Sequence, residues 1–348
     1  RAAVSRIQDS SCNFIVVNFP NVDVVGHIEN EQAVLRAVGA VDRQAGILID
    51  EALRHNVAVA VTADHGTVEK WLYPDGGVDT GHTDSPVPFV LLHPNPDVSL
   101  APSGELTDIA PTLLDMMGIS APASMTGASL IRQKTPARAP VSRVLLLILD
   151  GWGLCDETKG NLIACAETPV MDRLLQNYPS ARLAASGLAV GLPAKTVGNS
   201  EAGHLHIGAG RRIYSDRVLI EQAIARGDFF TNPAFCGAMN TALHHQTALH
   251  LMGIVSFFSS HGSIGHLYAL MDMAKKTGVG RMYIHAMLGR RGEYAESGVR
   301  YIRQVEEKCL ELGLGQVVSV IGRYWSMDRE DNWDRIEKTY RMLVYGEG

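Results

Sequence analysis

Short apolar runs alternate with longer stretches of helical period along most of this chain, which is the pattern of a mainly parallel sheet covered by helices. Strands are expected at residues 13–18, 57–62, 87–92 and 144–149. Residues 31–54 read as one long helix, because Leu35, Val38, Val41 and Leu48 return to one face. A helix from Thr107 stops near Gly118, a residue suited to a C-cap. Further helical patterns lie at 169–177 and 216–225. From Ala248 the alternation resumes as strand to 255, helix 264–277, strand 282–286, helix 297–312, strand 317–321 and helix 333–344. Only residues 132–143, RQKTPARAPVSR, break the rhythm. They carry two prolines, four basic residues and no apolar period, so they read as a linker.

A chain of 348 residues is long enough for two domains, and 46% hydrophobic with 20% charged residues is the balance of a soluble globular protein. A net charge of -6 and a pI near 6.1 give no basic footprint for nucleic acid or an anionic membrane. No apolar run approaches the ~20 residues that span a bilayer. The five cysteines (Cys12, Cys155, Cys165, Cys236, Cys309) are scattered and form no CxxC pair. That argues against a disulfide framework or zinc ribbon and for a reducing compartment, with the cytoplasm as the expected location. No signal peptide is recognised ahead of the first structured segment, and a start at Arg1 rather than Met reads as that of a fragment or processed piece.

Chemistry gathers where the apolar strands stop. NFIVVN leads into Asp23-Val24-Val25-Gly26-His27, VAVAVT into Ala63-Asp64-His65-Gly66, and VLLLIL into Asp150-Gly151. Ligands of open α/β sheets bind outside the carboxyl ends of strands, so these endings could share one site. His82, just ahead of the strand at Val87, adds a fourth contributor. Asp23, His27, Asp64, His65, His82 and Asp150 supply carboxylates and imidazoles together. That mixture suits Mn²⁺ or Zn²⁺ better than Ca²⁺ or Mg²⁺, which take all-oxygen shells. Six side chains exceed one tetrahedral ion and suit a pair sharing a phosphate. Any one of them alone reads more simply as a helix cap or a surface histidine.

The stretch Thr196-Val197-Gly198-Asn199-Ser200-Glu201-Ala202-Gly203-His204 sets a serine at a helix start. A hydroxyl needs a base or a metal to become a good nucleophile. Here a metal is the natural means, because no GxSxG elbow or Ser/His/Asp ordering is visible. The plainer reading makes Ser200 an N-cap. Neither GxxxxGK[ST], HExxH nor a complete GxGxxG occurs, and Gly208-Ala209-Gly210 alone is a weak signal.

Together NFPNVDVVGH (18–27), TADHG (62–66), GHTDSPVPF (81–89), DIAPTLLDMMG (108–118), LDGWG (149–153), TVGNSEAGHLHIGAGR (196–211) and IGRYWSMDR (321–329) resemble the bacterial type of cofactor-independent phosphoglycerate mutase, in the alkaline-phosphatase superfamily. The resemblance implies an alkaline-phosphatase-like, mainly parallel sheet with helices on both faces, at residues 1–131 and 144–222 around the linker 132–143. A smaller α/β substrate-binding domain, incomplete, would occupy 223–348. It implies two divalent metal ions, Mn²⁺ or alternatively Zn²⁺. Asp23, His27 and His82 would hold one; Asp64, His65, Asp150 and Ser200 would hold the other. Ser200 would become phosphoserine as 3- and 2-phosphoglycerate interconvert in glycolysis and gluconeogenesis. His261, Arg291, Arg323 and Arg329 would bind this small phosphorylated substrate, without nucleic acid or membrane, in a chain expected to be monomeric.

Three departures accompany the resemblance. The family opens with the LDGWG segment and finishes with TADHG…GHT, whereas here the finishing part comes first. The stretch 254–266 reads IVSFFSSHGSIGH where the family has Asp-Gly-Gly-Val before the histidine, and Gly289-Arg290-Arg291-Gly292-Glu293 places glycine at the family's aspartate, with Glu293 as its nearest substitute. The chain also ends at Gly348, before the family's remaining arginines and lysine. That predicts weak isomerisation with leakage to free phosphate. The alternatives are therefore a metal-dependent phosphomonoesterase and an inactive fragment of a longer mutase.

Overall fold

The computed structural model describes residues 1–94, 97–132, 140–257, 262–289 and 296–348. They divide into two compact units, Arg1–Ser215 and Asp216–Gly348. The sequence-derived boundary at 222/223 falls within the helix Asp216–Arg226. Most of the expected linker, residues 133–139, lies outside the described residues.

The first unit is built on strands β1 (Phe14–Phe19), β2 (Ala58–Thr62), β3 (Val87–Leu92), β4 (Ser103–Glu105), β5 (Val144–Leu149) and β6 (Ser180–Ala184), in the order β1-β5-β2-β3-β6-β4. β1, β5 and β2 are mutually parallel, while β3 runs against both β2 and β6. Every residue of β2, β3 and β5 is buried, so both faces of the central sheet are covered. This is why these runs are continuously apolar and do not alternate. β4 and β6 escape sequence reading because SGE and SARLA are short and carry too little apolar pattern.

The helix Glu31–Arg54 begins where Asn30 accepts the Ala33 N–H at 3.0 Å. Asn as N-cap and Glu31 in the first turn satisfy the positive end of the helix. Its buried face is Val34, Val38, Val41, Ala45, Leu48, Ile49 and Ala52, with Leu35 only at the margin. Each fully buried Val, Leu or Ile there contributes about 1.5–3 kcal/mol by leaving water. Arg143, read as part of a solvated linker, has a structural task instead. Its guanidinium donates to the carbonyls of Ile7, Asp9 and Cys12 at 2.8, 2.8 and 2.9 Å and so holds the end of the helix Ala2–Gln8.

The second unit has β7 (Leu249–Ile254), β8 (Met282–Leu288) and β9 (Gln316–Gly322), parallel and in that order. Leu249, Leu251, Ile284 and Ala286 pack against Met271, Ala274, Val305 and Cys309 from the helices Ile264–Thr277 and Ser297–Leu312. The helix Pro233–His244 joins this core through Met239 and Ala242. Among the described residues, no helix is long and apolar enough to cross a membrane.

Candidate metal centre

Sheet order determines what the strand endings can do. β5 lies between β1 and β2 with Phe19 opposite Leu149 and Thr62 opposite Ile148, so all three parallel strands stop at one edge. Asp150 follows β5, Asp64 and His65 follow β2, and Asp23 sits in the short helix Asn21–Gly26 after β1, with His27 as its C-cap. His82 reaches the same edge because Thr83 pairs with Gly66, its N–H donating to Gly66 O at 3.0 Å. Ser200 opens the helix Ser200–Ala209. The N-cap of that helix is Asn199, whose side chain accepts the Ala202 N–H at 2.8 Å. Ser200 is therefore not needed as a cap, and its hydroxyl turns to the cluster.

Within the cluster, Ser200 Oγ is 2.9 Å from His65 Nε2 and 3.3 Å from Asp150 Oδ1. His65 Nε2 is also 3.5 Å from Asp64 and 3.8 Å from Asp23. Two tight groups of possible ligand atoms result, Asp23/His65/His82 and Asp64/Asp150/His204. His27 joins the first through Nε2, 3.5 Å from Asp23 Oδ1 and 3.3 Å from His82 Nε2.

The imidazoles are aimed by their other nitrogens. Nδ1 of His27 meets Thr80 O at 2.7 Å, that of His82 meets Gly198 O at 2.9 Å, and that of His65 meets Gly66 O at 3.2 Å. A carbonyl can only accept, so each Nδ1 carries the proton and each Nε2 turns a lone pair inward. Neutral rings would then set two lone pairs 3.3 Å apart at His27 and His82, with Asp23 Oδ1 only 3.2 Å from the latter. Such a set calls for a cation, and Nδ1–H bonded to carbonyl with Nε2 free is the usual preparation of a metal-binding histidine. The buried Oδ2 of Asp64 has no hydrogen-bond donor of its own. His204 Nδ1 lies 3.2 Å from it but donates to Ser200 O at 2.8 Å. The residues present fit divalent metal ions.

Titration reflects the same crowding. Burial works against the Asp23 carboxylate, but once His82 and His65 take up a second proton, the hydrogen bond from His82 and the charges of both rings hold it down at about 2. Asp150 is pushed up, first by burial and then by the neighbouring Asp64 charge. Asp64 is lowered despite its burial, through His204 and His65. His204 is raised to about 9 by its Asp64 partner.

Several supporting residues had no signal when the motifs were read singly. Asn18 Nδ2 donates to Asp150 Oδ2 at 2.9 Å, Thr67 Oγ1 donates to Asp23 Oδ1 at 3.0 Å, and His204 stands one turn beyond Ser200. The clue for His204 was helical spacing, since i and i+4 share a face. A cleft of about 560 Å³ beside the cluster is lined by His82, Val197, Lys70 and Lys159. In the second unit, Arg323 follows β9 at its carboxyl end, and Arg329 is exposed in the segment before the helix Trp333–Tyr345. His261 and Arg291, with Gly292 and Glu293, lie outside the described residues.

An α/β sheet whose parallel strands deliver carboxylates and inward-facing imidazoles to one edge defines a candidate metal-binding centre. Residues 1–121 match the metalloenzyme superfamily model, and residues 220–348 match the model described as the BPG-independent PGAM N-terminus. Among curated proteins, the 2,3-bisphosphoglycerate-independent phosphoglycerate mutase of Moorella thermoacetica is 49% identical over 205 residues, 59% of this chain and 40% of that protein. The mutase of the same name from Lachnoclostridium phytofermentans is 47% identical over 204 residues, with the same coverage of 59% and 40%. A crystal structure of Leishmania mexicana phosphoglycerate mutase at low cobalt concentration is 30% identical, with a TM-score of 0.42, over 46% of this chain and 31% of that one. The chain is thus similar to 2,3-bisphosphoglycerate-independent phosphoglycerate mutases over 59% of its own residues, and it spans about 40% of the length of the curated relatives it matches.

Proposed function

We propose that the chain carries the phosphoryl-transfer centre of a phosphoglycerate mutase, interconverting 3- and 2-phosphoglycerate through a phosphoserine at Ser200. The observation that carries this reading is the Ser200 hydroxyl itself. It is 2.9 Å from His65 Nε2 and is freed from capping by Asn199, at the edge of a cluster that calls for cations. Ser200 Oγ displaces glycerate from phosphorus, and the glycerate 2-oxygen later displaces Ser200 in the reverse sense.

In this proposal Asp23, His27 and His82 hold one divalent ion, and Asp64, His65, Asp150 and Ser200 hold the other. Mixed nitrogen and oxygen donors favour Mn²⁺, with Zn²⁺ next. When bound, such ions withdraw charge from the phosphoryl oxygens and lower the cost of ionising a coordinated hydroxyl. The chain's own contribution is aim. Asn18 holds Asp150, Thr67 holds Asp23, and the Nδ1 bonds fix the rings. His261, Arg291, Arg323 and Arg329 are assigned to the substrate, because guanidinium pairs in a fork with carboxylate and phosphate. The setting is cytoplasmic glycolysis and gluconeogenesis.

Incubation with 3-phosphoglycerate and Mn²⁺ should add one phosphoryl group to the peptide spanning residues 198–204, read by mass spectrometry. Ser200→Ala should abolish both the label and turnover while leaving circular dichroism unchanged. An unlabelled serine, or wild-type turnover by the alanine variant, would refute the assignment. Release of phosphate without any 2-phosphoglycerate would instead identify a metal-dependent phosphomonoesterase.

A further inference from the structure

Glu69 is only 1% exposed, yet it lies in the wall of the metal centre and belongs to neither ligand group. Its Oε2 accepts the Thr67 N–H at 3.0 Å, and its Oε1 accepts the Thr83 hydroxyl. The carboxyl group also fills space that two neighbours leave open by having no side chain. A Cβ on Gly66 would stand 2.3 Å from Oε1, and one on Gly153 would stand 2.2 Å from the carboxyl carbon. Three chain segments thus close on one carboxylate, and each carries a member of the cluster: Asp64 and His65 on the first, His82 on the second, Asp150 on the third. Thr67, held by its N–H, passes the constraint to a fourth segment by donating Oγ1 to Asp23 at 3.0 Å.

We propose that Glu69 is a positioning residue, which clamps the Asp64–His65, His82 and Asp150 segments at the spacing a pair of divalent ions requires. The inference rests on the metal-centre reading above. It assigns Glu69 no contact with metal or substrate. Groups that orient metal ligands commonly change affinity about 10–100-fold when they are lost. Glutamine can keep the clamp, because its oxygen accepts from Thr67 N–H and its amide donates to a rotated Thr83 hydroxyl.

The test measures Co²⁺ affinity of the full chain by calorimetry, together with the visible absorption of the bound ion. Glu69→Ala and Thr83→Val should each weaken binding about 10–100-fold and alter the cobalt spectrum, while Glu69→Gln should retain most of the affinity and the wild-type spectrum. Should Glu69→Ala fail to fold, Thr83→Val, which removes a single hydroxyl at nearly constant volume, carries the test. A purely structural role would lower the melting temperature of the metal-free chain and leave the affinity of the folded protein unchanged. That result, or a glutamine variant as weak as the alanine variant, overturns the clamp. Failure of the unaltered chain to bind Co²⁺ would instead bring down the metal-centre reading, and this inference with it.

Discussion

Replacing Gly203 with alanine should damage the site through packing alone. The helix Ser200–Ala209 lies so close to the Asp64 loop that a Cβ at Gly203 would be 2.5 Å from Asp64 O and 2.8 Å from Asp64 Cβ. Neither neighbour is the far end of a flexible side chain, so helix or loop must shift. Overpacking of this kind costs about 1–3 kcal/mol. Gly208 provides an internal control on the same helix, since a Cβ there meets nothing within 4 Å. Both substitutions gain the same ~0.5–1 kcal/mol of helix preference for alanine over glycine. That gain cancels in the comparison, leaving the overpacking cost as the difference. For a unit of this size, about 2–4 °C per kcal/mol then separates the melting temperatures by roughly 2–12 °C, with Gly208→Ala the higher. Calorimetry of the metal-free proteins measures the gap. A titration with Mn²⁺ should also find affinity lost in Gly203→Ala alone, because the shift moves Asp64. If Gly203→Ala melts at or above Gly208→Ala and binds metal as the unaltered chain does, the close approach of helix and loop is wrong.

Three further outcomes are expected. Saturating Mn²⁺ should bind at about two ions per chain and raise the melting temperature, since a ligand at a hundred times its Kd adds about 2.7 kcal/mol to the folded state; elemental analysis and calorimetry with and without chelator check both. Asp328 is held down at about 2 by the Asn332 and Glu330 N–H groups and by Arg335, against the opposing effect of burial. A depressed carboxylate contributes stability above its unfolded value of 3.8 that is lost as pH falls through about 2, so Asp328→Asn should flatten the acid limb of unfolding between those values, followed by Trp325 and Trp333 fluorescence. Arg143→Met should leave the sheet intact but speed proteolysis within residues 1–12, because the carbonyls at the end of the helix Ala2–Gln8 lose their donor.

The sequence by itself determined the elements whose causes are local. The period of 3.6 marks the helices at 31–54, 169–177, 264–277 and 297–312, which begin and end where the residues predict. The apolar runs give β3 its observed limits and fix β5 up to Asp150. Residue chemistry at the strand ends named Asp23, His27, Asp64, His65, His82 and Asp150 before any spatial relation was known. Tertiary structure alone decided that these residues meet. Asp64 and Asp150 stand 86 positions apart, and only the pairing of β5 between β1 and β2 makes their strand ends neighbours. It alone gave the cap to Asn199 and freed Ser200, turned the Nε2 atoms of His27 and His82 inward through carbonyls far along the chain, and buried Glu69 where three segments converge. Periodicity and strand-end chemistry are properties of adjacent residues. Ligand geometry depends on which strands pair, and that is settled by burying both faces of one sheet.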